Sequence, residues 1–68
     1  MEDQKKQIEI DIIGLTYQET TEFFKNNKYY FRPIKIDDII LYKDEDIDNH
    51  RCNVIVANNI IIKVDGWY

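Results

Sequence analysis

Along the first fifth of the chain, Ile8, Ile10 and Ile12 alternate with Glu9 and Asp11. A two-residue period of this kind predicts a half-buried strand, so residues 1–11 are expected to form a strand-like N-terminal arm. The pattern changes after Ile13-Gly14-Leu15. In Thr16-Tyr17-Gln18-Glu19 the Thr16 hydroxyl can accept from the Glu19 amide while the Glu19 carboxylate reaches back to Thr16, a capping box that starts a helix at Tyr17. Tyr17, Thr20, Phe23 and Phe24 fall on or near one face of that helix. Lys25 and Lys28 suit its negative end, and Asn26-Asn27 is the expected stop.

The next apolar stretch, Tyr29 to Ile36, is aromatic and β-branched and predicts a strand, with Pro33 confined to an edge or a bulge. Cys52 to Ala57 predicts another strand, with Cys52, Val54 and Val56 on one face. Asn58-Asn59 suits a two-residue turn with positive φ, and Ile60 to Val64 returns as the hairpin partner. One helix packed on one small mixed β-sheet is an α+β plan, with a long exposed loop between two strands and a C-terminal hairpin. The 68 residues form one domain, with an α+β core over 12–66 and an exposed acidic loop over 37–50.

Charge makes that loop the most informative part of the chain. Of 13 acids, six lie between Asp37 and Asp48, against Lys43 as the only base; the formal net charge is −4. That acidity repels nucleic acid and anionic membranes, and no basic stripe is visible along the sequence to offset it. A structureless loop of about fifteen residues in so small a domain is usually functional or disordered. No apolar run reaches the roughly 18 residues of a membrane span. The N-terminus lacks the apolar stretch of a signal peptide, and Cys52 is the only cysteine, so an intracellular, cytoplasmic location is expected.

The order of these features resembles the potato inhibitor I family of serine protease inhibitors, the eglin-like proteins. The resemblance is carried by Ile12-Ile13-Gly14-Leu15-Thr16, Glu22-Phe23-Phe24, Tyr30 to Pro33, Asn49-His50-Arg51-Cys52-Asn53-Val54 and the closing stretch Asn58 to Val64. It implies a non-catalytic protein that blocks a serine protease with a substrate-like loop. Counting six residues back from Arg51, as the family pattern directs, places the scissile bond at Glu45-Asp46. The protease-binding loop would be Lys43, Asp44, Glu45, Asp46, Ile47 and Asp48. Arg51 would brace it from beneath, and a glutamate at the cleaved position implies an acid-preferring protease. The chain departs from the family at Asp44, where Thr is usual, and at Asn53, where a second bracing Arg is usual.

Other chemistry finds little in the residues. Asp44, Asp46 and Asp48 have the spacing of calcium ligands, but Asn49 and Ile55 stand where an EF-hand loop needs Gly and Glu. His50 and Cys52 are too few for a zinc site. No Ser-His-Asp set, Gly-rich phosphate loop or metal box is present, so neither an enzyme nor a cofactor is expected. The rival reading is a non-inhibitory, dimeric interaction module whose acidic loop docks a basic partner. In it, the free edge of the N-terminal arm pairs with a second copy of the chain.

Overall fold

The computed structural model describes residues 2–41 and 49–67. Two helices, α1 (Glu2–Ile12) and α2 (Tyr17–Phe24), precede four strands: β1 (Tyr30–Ile36), β2 (Ile39–Ile40), β3 (Arg51–Ala57) and β4 (Ile60–Trp67). The strands form one mixed sheet in the order β2-β1-β3-β4. β1 and β3 run parallel, and the two other pairings are antiparallel. The architecture is the expected α+β fold, with two helices where one was predicted.

The N-terminal arm is where the expectation fails: residues 2–12 are helical, not strand-like. Ile8-Glu9-Ile10-Asp11-Ile12 is compatible with both periods, and burial separates them. A strand would place Ile8, Ile10 and Ile12 together. In the folded chain Ile8 and Ile12, one helical turn apart, are 8% and 0% exposed, whereas Ile10 is 70% exposed. Gln7 Nε2 donates to Asp11 Oδ1 at 2.9 Å across a turn of the same helix. A helix presents no free strand edge, so the edge pairing suggested for a dimer is not available through this segment.

The α1–α2 connection depends on Gly14, whose φ of +93° is strained for any residue with a Cβ. It lets Leu15 N donate to Ile12 O while Gly14 N donates to Ile61 O in β4. Thr16 then forms an isolated bridge to Ile60. Both bonds of the capping box are made: Glu19 N to Thr16 Oγ1 at 3.1 Å and Thr16 N to Glu19 Oε1 at 2.9 Å. A cap of this kind contributes about 1 kcal/mol. α2 stops at Phe24, and Asn26 takes a left-handed φ of 66°, as its side chain permits.

Both helices cover one face of the sheet. Ile8 and Ile12 of α1 and Phe24 of α2 share a core with Cys52, Val54, Val56 and Ile61. Phe24 stacks on Phe31 of β1 with ring centroids 5.4 Å apart. Asn58 and Asn59 both have positive φ, so the β3–β4 turn is the one the sequence predicts.

Pro33 lies in a central strand, where its missing N–H is accommodated by a register shift between Pro33 and Lys35. Residues 37–41, expected within the loop, instead make a tight turn into β2. Asp37 anchors it, with its N–H donating to Val56 O at 2.7 Å and its Oδ1 accepting from Asn58 N at 3.0 Å. No helix among the described residues is long and apolar enough to cross a membrane.

Candidate functional site

The parallel pairing of β1 and β3 fixes where the acidic segment begins and ends. Leu41 N donates to Ile34 O at 2.8 Å, so the chain leaves β2 tied to the second half of β1. It returns at His50, whose carbonyl accepts from Tyr30 N at 3.0 Å, beside the start of β1. Lys43, Asp44, Glu45, Asp46, Ile47 and Asp48 lie outside the described residues; the two bonded ends and the residues beneath them lie within.

The returning end is held by an aromatic cluster. The His50 ring lies 5.6 Å from Tyr29, and Trp67 meets the same Tyr29 edge-on at 5.1 Å. Trp67 Nε1 donates to Glu9 Oε2 at 2.8 Å, which ties α1 into the arrangement. The Lys28 ammonium sits 5.1 Å from the Tyr29 ring centre, and Lys5 sits 5.4 Å from that of Trp67. Trp67, at the end of the chain, thus supports the start of β3 from below. Sequence reasoning placed Trp67 against the core but did not connect it with the loop.

Arg51 follows His50 directly and is half-buried, in register with Tyr30. Asn53 is in register with Arg32 on one side and Gly66 on the other. Side chains alternate along a strand, so Arg51 and Asn53 point away from the helices, opposite Cys52, Val54 and Val56. Asn53 is nevertheless 0% exposed. Three consecutive buried residues, Cys52, Asn53 and Val54, require cover on both faces of the sheet at this level.

The helix-free face also gathers cations from three strands. Register places Arg32 and Lys35 of β1, Arg51 of β3 and Lys63 of β4 there, since directly paired residues share a face. Arg32 is half-buried and its Nε is fully so. None of this is visible as a basic run, because the four residues are spread over more than thirty positions. The one available signal is Arg32 itself, a charge inside the otherwise aromatic Tyr29-Tyr30-Phe31 strand.

Cys52 lies on the other face, fully buried. Burial pushes its thiol from the usual 9.0 up to about 12, and the nearby Glu9 charge adds to the rise. Folding therefore favours the protonated thiol, while the unfolded chain loses that proton from about pH 9. The linked stability is present below pH 9 and declines as pH rises toward 12. Urea unfolding followed from pH 8 to 10.5 is expected to show this decline, and Cys52→Ala is expected to lessen it. At pH 8 the native thiol is expected to resist a thiol-specific reagent until urea opens the fold.

No family model, curated protein or solved structure matches this chain. Among the described residues, no group of His, Cys, Asp and Glu is arranged to hold a metal ion.

Proposed function

We propose that the protein inhibits a serine protease by presenting Asp44 to Asp48 as an extended substrate mimic, with Glu45-Asp46 as the scissile bond. The observation that carries this reading is the parallel β1–β3 pair with a backbone tether at each end of the acidic segment. A loop that imitates a substrate must bind without a large ordering cost, and tethers at Leu41 and His50 reduce that cost in advance. Arg51, at the foot of the returning limb, is in place to hold a flanking carboxylate through its two-pronged guanidinium.

The chemistry follows from ordinary serine protease action. The protease serine attacks the Glu45 carbonyl, the peptide C–N bond breaks, and the protease histidine protonates the leaving amine of Asp46. Bracing by Arg51 keeps that amine beside the acyl group. Reversal then restores the peptide bond faster than water can reach the ester, and the protease stays occupied.

A panel of serine proteases tests the reading directly. Inhibition of a glutamate-specific enzyme is expected, with much weaker action on trypsin and chymotrypsin, whose pockets present a carboxylate and an apolar wall to Glu45. Absence of inhibition across the panel would remove the proposal.

A further inference from the structure

We propose that the helix-free face of the sheet is roofed by the chain's own Asp44–Asp48 segment, and that Arg32 is a second positioning guanidinium beside Arg51. The proposal deepens the inhibitor reading, and its consequence for inhibition rests on that reading; the roof itself does not.

The observations converge on this occupant. Asn53 is completely buried on a face to which neither helix contributes, and it is buried within a single copy of the chain. The cover therefore comes from this chain rather than from a partner. The segment between Leu41 and His50 is the stretch whose route the topology sends from the β2 edge to the sheet centre. The two tethers are offset by four residues along β1 and lie on opposite sides of it. Strand geometry then sets them about 16 Å apart, against a chain reach of about 30 Å, so the segment is long enough to cross the face.

Charge points the same way. Asp44, Glu45, Asp46 and Asp48 face a surface carrying Arg32, Lys35, Arg51 and Lys63. One guanidinium binds one carboxylate by its fork, so Arg51 alone leaves the other carboxylates unpaired. Asn53 supplies no charge, but the residue in register with it is Arg32. The neighbouring strand thus delivers a guanidinium to the level at which β3 has an amide.

Hydrogen exchange of residues 41–50, read by mass spectrometry on the full chain, tests the roof. Arg32→Gln is expected to speed exchange there about tenfold or more, the usual range for losing a charge-assisted hydrogen bond, while the Asn58-Asn59 turn is unchanged. Arg32→Lys is expected to recover only part of the protection, because it keeps the charge and loses the fork. Lys35→Gln, farther along the strand, is expected to change little. Should Arg32→Gln fail to fold, wild-type chain in about 1 M salt, where charges are screened beyond about 3 Å, is expected to show the same selective loosening.

Unchanged exchange in folded Arg32→Gln, or in wild type at high salt where that variant does not fold, would overturn the roof. Tight binding of a single-stranded DNA probe by wild type at about 0.15 M salt, lost in Arg32→Gln, would also overturn it, because the face would then be open to outside anions. The two proposals can fail separately. A wild-type chain that inhibits no protease, with Arg32→Gln still loosening 41–50, ends the inhibitor reading and keeps the roof. Inhibition and exchange both unaffected by Arg32→Gln end the roof and keep the inhibitor.

Discussion

Glu45→Lys is expected to transfer inhibition from a glutamate-specific protease to a trypsin-type one, with changes of about a thousandfold in opposite directions. The size follows from the pocket. A residue at the cleaved position is taken out of water, and a charge buried there without its partner costs several kcal/mol. Each 1.4 kcal/mol is a factor of ten in affinity. A lysine meets a carboxylate at the base of a trypsin-type pocket, whereas the native glutamate meets the same charge as its own. Residue 45 lies outside the described core, so the thermal midpoint is expected to stay within a few degrees of wild type. Inhibition constants against both enzymes, measured beside that midpoint, decide the matter. Retention of glutamate selectivity by Glu45→Lys would show that another residue enters the pocket, and the same exchange at Asp44 or Asp46 would then identify it.

Ile12→Ala is expected to cost about 2–5 kcal/mol, the range for deleting three buried carbons where the surroundings cannot close the gap. Ile12 is the last residue of α1 and is completely buried. Its carbonyl also accepts from Leu15 N in the turn that leads Gly14 onto Ile61. The loss therefore falls on the junction of α1, the Gly14 turn and β4. A chain of 68 residues has a total stability of roughly 3–10 kcal/mol, so the variant is expected to melt tens of degrees lower or to be unfolded at 37 °C. Ile10→Ala, one residue pair away on the exposed side, is expected to stay within about 0.5 kcal/mol of wild type. Equal, small effects at both positions, measured by urea unfolding, would mean that α1 does not belong to the core.

That contrast also explains what the sequence could disclose. The Thr16–Glu19 cap and the Asn58-Asn59 turn rest on groups a few residues apart, so they are legible locally and appear in the fold. Ile8 to Ile12 satisfies two periods at once, and the choice is made by what lies opposite: Ile12 meets Ile61 and the other core residues, while Ile10 meets solvent. Tertiary packing decides there, and a window of five residues does not contain it.

The candidate site divides in the same way. Arg51 could be placed at the foot of the loop by counting along the chain. Arg32 could not, because its position opposite Asn53 depends on parallel pairing between segments some twenty residues apart, with a register shift after Pro33. The hairpin into β2 was hidden by Asp37-Asp38, whose acids read as part of the loop, although Asp37 adopts the left-handed conformation that turns the chain.

The parallel pair at the centre of the sheet has a kinetic consequence. The β3–β4 hairpin needs only its two-asparagine turn to close and is expected to form within microseconds. Joining Tyr30 to Arg51 requires a much longer stretch of chain to be gathered first, and that entropy is lost before any ladder bond compensates it. The bottleneck in reaching the native state then lies in bringing β1 to a hairpin already made. Lengthening the intervening stretch would slow that encounter only gently, since doubling a closed loop adds about 0.6 kcal/mol, or roughly threefold in rate.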